Sequence, residues 1–149
     1  MQDHYSYDYA VVRVVPRVDR EEFVNAGVIV SCPARGFLEA RIDLDVARLQ
    51  ALDSTVDLDA VHANLASIPI ICSGGPDAGP IGKLSPRERF HWLTAPRSTI
   101  IQTSRVHTGR CTSPGDLVEH LLQAMVRPLR AMLSLILMSP RDERAAPVP

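Results

Sequence analysis

The chain has 149 residues, 46% of them hydrophobic and 22% charged, with a net charge of −1, which predicts one soluble folded domain and excludes wholesale disorder or a disulfide scaffold. With 17 acidic residues spread against 16 basic ones, no basic field is present to collect nucleic acid or an anionic membrane. Among the basic residues only Lys83 is lysine; the arginine bias suits planar contacts with carboxylate or phosphate, and equally reflects an arginine-favouring genome.

Residues 5–16, YSYDYAVVRVVP, alternate as a strand, with Tyr5, Tyr7, Tyr9, Val11, Arg13 and Val15 on one face and Ala10, Val12 and Val14 on the other. Pro16 ends it, the charged run Arg17–Glu22 connects, and Asn25–Cys32 forms a second strand, placed antiparallel by the short connection. Pro33–Gly36 has turn chemistry, and Phe37–Ile42 is a third strand with Glu39 and Arg41 pointing together.

Asp43 or Asp45 then caps a helix carrying Val46, Leu49 and Leu52, and Asp57 caps another with Leu58, Val61, Leu65 and Ile68 at helical spacing. Residues 73–85, SGGPDAGPIGKLS, read as a surface loop with the composition of a lid. Ser85-Pro86 with Glu88 has the pattern of a capping box ahead of Phe90, Trp92 and Leu93.

Ser98–Val106 alternates as a fourth strand. Ser113-Pro114 repeats the helix-start signal before an apolar stripe at Leu117, Leu121 and Met125. Residues 128–138 predict an apolar C-terminal helix, and its core AMLSLILM is too short for the roughly 20 residues a membrane span needs. Residues 139–149 read as a disordered tail.

Blocks of strands and helices without strict alternation predict an α+β domain over residues 1–138: a mainly antiparallel sheet of about four strands with helices packed on one face. Cys32, Cys72 and Cys111 form neither a C-x-x-C pair nor an even set, and the first residues lack a basic and an apolar signal region, so a reducing cytoplasmic setting is expected.

Arg13 is a charge within an apolar strand, and Glu22 lies in the connection to the next, near enough in sequence to pair across the hairpin. Asn25 can turn its amide onto the loop backbone, and Gly27 permits a bulge or a close approach. These features suffice to set strand register; alternatively Arg13 binds an anion, Glu22 serves as base or ligand and Asn25 orients a substrate.

In PRSTIIQTSR, Gln102 and Ser104 share a strand face, which is a polar ladder or an exposed edge. Arg97 and Arg13 could converge there with Gln102 and Glu22 around a phosphate or carboxylate. The candidate polar site is therefore Arg13, Glu22, Asn25, Arg97, Gln102 and Ser104, with no catalytic residue assigned and neither a metal site nor a cofactor expected. His107 and Cys111 offer only two local ligands across a turn-like Thr-Gly-Arg, and Cys111 lacks the setting of a known cysteine enzyme.

YDYAVVRVVP, EEFVNAGVIV and APRSTIIQTSRVHTGRC with the following apolar helix resemble the bacterial domain-of-unknown-function family 3037, over residues 5–126. Its pattern falls on Tyr7, Arg13, Pro16, Glu22, Asn25, Gly27, Arg97, Gln102 and Ser104, none with an established role. Because members are often encoded beside a HipA-type kinase-like protein, the resemblance implies a kinase-like partner. The expected function is a binding or regulatory accessory module that meets that partner, or a second copy of itself, through the C-terminal apolar helix. The alternative is a small enzyme or ligand-binding protein for a phosphate- or carboxylate-bearing compound.

Overall fold

The computed structural model describes residues 3–129. Among these, the strands are β1 (Tyr5–Val14), β2 (Val24–Cys32), β3 (Phe37–Ile42), β4 (Ile101–Thr103) and β5 (His107–Cys111), and every pairing is antiparallel. The order is β3–β2–β1, with β4 and β5 following one another along the free side of β1. The helices are α1 (Val46–Leu52), α2 (Leu58–Ser73), α3 (Pro86–Thr94) and α4 (Pro114–Met125). The fold is α+β with a mainly antiparallel sheet. The apolar helix expected at 128–138 and the tail expected at 139–149 lie outside the described residues, apart from Pro128 and Leu129.

Local chemistry starts the helices as expected. Asp45 accepts a hydrogen bond from the Arg48 amide and Asp57 from that of Ala60, and Ser85 and Glu88 form a reciprocal capping box, relieving amides with no partner in the first turn. Pro114 starts α4 without help from the Ser113 hydroxyl.

The helices do not share one face. Val12, Val14, Ala26 and Ile29 pack with Leu49, Val61, Leu65, Phe90 and Leu93 from α1–α3. On the opposite side Val11, Val28 and Val30 pack with Val118, Leu121 and Leu122 from α4, flanked by Tyr7, Tyr9 and Phe37. The central strands are apolar on both faces, so each face needs a cover.

Two further expectations change. Within residues 73–85, Pro76–Lys83 forms short helical turns, broken at Gly79, with Ala78 and Ile81 packed on the core; these apolar residues three apart tie down a segment whose glycines and prolines read as a loop. The expected strand 98–106 is only three residues long, and β5 replaces the expected turn at His107–Cys111. Gly109 makes β5 possible, because a side chain there would collide with the Tyr7 ring lying across it.

Polar clamps set the helix positions. Arg87 on α3 reaches Asp8 on β1 at 2.6 Å and Ser31 on β2 at 3.1 Å, while Thr108 on β5 donates to the same carboxylate at 2.6 Å. Burial pushes the Asp8 carboxyl up, but the hydrogen bonds from Thr108 and Arg87 outweigh it and hold the group below its ordinary range. On the other face Glu119 of α4 bridges Arg41 at 2.8 Å and Arg127 at 2.6 Å, and Arg127 also meets Asp43 at 3.0 Å. Glu39 joins Arg41 at 3.2 Å, so those two side chains do point together.

Gly27 is a tight point between β2 and β3: an added Cβ would stand 2.6 Å from Ile42 Cδ1 and 2.7 Å from the Arg41 carbonyl oxygen. Gly27→Ala is therefore expected to cost about 1–3 kcal/mol of stability by overpacking, read by denaturant unfolding; an unchanged midpoint would mean that β3 moves away freely.

Candidate functional site

Both neighbours of β1 are irregular at the same level. In β2, Ala26 and Gly27 together oppose Val12, because the register steps from Val12–Gly27 to Arg13–Asn25. On the other side Val12 pairs with Thr103 and Tyr9 with His107, so Ser104, Arg105 and Val106 face only Ala10 and Val11. Such bulges bend a strand and re-aim its side chains. They leave Arg13 between Asn25 and Gln102 in one row across the sheet.

Ser104 closes the second bulge. Its amide donates to the Val11 carbonyl at 2.8 Å, and its hydroxyl accepts from the Val11 amide at 2.9 Å, supplying the acceptor that the displaced backbone cannot. The hydroxyl donates onward to the Arg105 carbonyl at 2.9 Å. Ser104 is thus buried and committed to holding β4 and β5 on β1.

Arg13 is half-buried, with its Cζ 4.1 Å from the centre of the Phe23 ring, a cation–π contact. Its Nε is enclosed without a hydrogen-bond partner, and the guanidinium forms no ion pair among the described residues. Beside it opens a cavity of about 360 Å³ lined by Arg13, Val15, Val18, Phe23, Arg97 and Gln102, with Glu21 and Ser98.

The expected Arg13–Glu22 pair does not form. Glu22 instead meets Arg20 at 2.5 Å on the exposed connection. The helical turn Val18–Arg20 ends at Glu21 in the left-handed region, φ +58°, and this reversal leaves Glu22 outside while Phe23 takes the place over Arg13. Asn25 departs as well: its Nδ2 donates to the Met125 carbonyl at the end of α4, 3.0 Å away, rather than to its own loop, and its Oδ1 is enclosed without a partner.

Arg97 does reach the cavity. Its Nη1 donates to the Leu93 carbonyl at 3.0 Å and its Nη2 to that of Trp92, with the guanidinium 4.4 Å above the Trp92 ring, so it caps the C-terminus of α3. Gln102 Nε2 donates to the Thr99 carbonyl at 2.9 Å. Of the six predicted residues, Arg13, Arg97 and Gln102 line one cavity, Asn25 lies beside Arg13, Ser104 supports the strand, and Glu22 stands apart. Phe23 and Glu21 enter the site without having been singled out. An aromatic two residues before the Asn opposite a strand arginine was the available signal for Phe23.

No thiol or imidazole lines this cavity. Burial, followed by the nearby Cys32, pushes the Cys111 thiol up, and burial pushes Cys72 up to about 12, so both are protonated thiols near neutral pH. Among the described residues, no group of three or more His, Cys, Asp or Glu side chains could hold a metal ion, and no helix is long and apolar enough to cross a membrane.

The fold is an α+β domain, and the cavity lined by Arg13 and Arg97 lies between β1, the β1–β2 connection and β4. The chain belongs to the family described as protein of unknown function DUF3037, whose model matches residues 9–126. No curated protein and no solved structure matches it.

Ser104→Ala should destabilise the fold by about 1–3 kcal/mol, the cost of a buried amide left unpaired, in a chemical denaturation series. Unaltered stability would mean that the Val11 amide finds another acceptor.

Proposed function

We propose that this chain is a binding module whose site, centred on Arg13, takes a carboxylate- or phosphate-bearing compound. The observation that carries the reading is the half-buried Arg13 guanidinium, whose enclosed Nε has no hydrogen-bond partner and which forms no ion pair among the described residues. A partly enclosed charge left unpaired loses part of its hydration without recompense. A planar anion would offer it two parallel charge-assisted hydrogen bonds. Arg97 adds a second positive charge on the wall and Gln102 a polar one. Glu21 is the acid on that wall, and the Ser98 hydroxyl on it has no imidazole beside it to act as its base, so the lining suits recognition better than turnover.

Titration of the full chain with acetate and with inorganic phosphate, followed by amide chemical shifts, tests this. Arg13→Gln is expected to weaken both ions by roughly tenfold or more, the loss of a charge-assisted contact, while leaving stability intact or raised. Equal titrations in the two proteins would refute the site.

A second reading, the accessory module with a kinase-like partner or a second copy, draws support from a different surface. Leu129 is 72% exposed and Met125 40%, beside a cavity of about 560 Å³ that includes Ala47, Arg48 and Ala51 of α1, and the apolar stretch 131–138 follows in sequence. In this reading Leu129→Asp abolishes co-purification with a co-encoded kinase-like protein, or lowers the mass of a self-assembly in light scattering. Neither change occurring would remove it.

A further inference from the structure

We infer that the compound held at Arg13 is a zwitterion, which carries an ammonium group for Glu21 beside the carboxylate or phosphate that Arg13 takes. This rests on Arg13 being the anion site. Arg13 and Glu21 line one and the same cavity, of about 360 Å³.

Glu21 is exposed, and among the described residues its carboxylate forms no ion pair. The two arginines of its own connection are engaged elsewhere, Arg17 with Asp53 and Arg20 with Glu22. Glu21 is also the only non-glycine residue with a positive φ among the described residues, and its amide donates to the Val18 carbonyl to close the turn. Glycine adopts that backbone freely, whereas a residue with a side chain does so uncommonly. The reversal therefore brings a carboxylate to the cavity wall at a position where backbone conformation alone would favour glycine.

The third charge on the wall is already committed: Arg97 donates to the Trp92 and Leu93 carbonyls at the negative end of α3. One cation, Arg13, and one anion, Glu21, are left without a partner of opposite charge. The two do not neutralise each other, and the Phe23 ring covers the Arg13 guanidinium, 4.1 Å from its centre. A plain anion at Arg13 would be repelled by Glu21, and an ammonium group on the same molecule turns that repulsion into attraction. Val18 and Phe23 offer the apolar part of the lining against which the carbon skeleton would lie. An α-amino acid and an aminoalkyl phosphate share this chemistry, and the probes below separate them.

The experiment is a titration of the full chain at pH 7 and low salt with two matched pairs, 4-methylpentanoate against L-leucine and ethyl phosphate against phosphoethanolamine. In the preferred pair the ammonium compound is expected to bind roughly threefold or more tightly than its plain counterpart, the scale of an exposed ion pair, with a gain that shrinks as salt is added. Glu21→Gln should abolish the gain and tighten the plain anion, because the repulsion leaves with the charge. The matched pairs on the unmodified chain stand whatever the variant does to folding. Plain anions that bind with no gain from the ammonium group would overturn this inference and leave the anion site standing, while failure of all four probes would overturn both. A gain of the same size in folded Glu21→Gln would also overturn it, because the ammonium group would then lie elsewhere.

Discussion

The central position of β1 is the constraint on which the other features depend. It is hydrogen-bonded to β2 on one side and to β4 and β5 on the other, and an unpaired backbone group inside a sheet costs as much as a lost hydrogen bond. Two bulges flank it near Val11–Arg13: on the β4–β5 side Ser104 lends its hydroxyl to the Val11 amide, and on the β2 side the bulge falls at Gly27, which also lets β3 approach β2. The irregularity that threatens the sheet is also what gives Arg13 its surroundings.

Because β1 is apolar on both faces, two separate layers grow on it, α1–α3 on one side and α4 on the other. Arg13 lies in the same row as Asn25, whose amide ties the sheet to the end of α4, and as Gln102, which borders the cavity system beside α3. One row of the sheet thus links both layers.

Much of this was readable from the amino acids. Alternation in YSYDYAVVRVVP separates the two faces of β1, the Asp45, Asp57 and Ser85 signals start three helices, and Gly27 announces a close approach. The strand after Arg97 was readable only in part, because a bulge centred on Ser104 breaks the two-residue period and makes Thr-Gly-Arg resemble a turn. The Arg13–Glu22 pairing misled for a related reason: proximity in sequence does not say on which side of a reversal a side chain emerges, and Glu21 in the left-handed region decides that.

Within the candidate site, residue types were legible and their partners were not. Arg13, Arg97 and Gln102 stand out as polar groups in or beside apolar strands, and they do share a cavity. That Arg97 caps α3, that Ser104 holds the sheet and that Phe23 covers Arg13 follow from elements far apart in the chain. Taken alone, the sequence determined the α+β class, the strand faces and the helix starts, since capping and alternation act over a few residues. Only tertiary structure decided which helix covers which face and which polar groups meet, since those depend on bulges, one reversed backbone residue and the burial that long-range packing imposes.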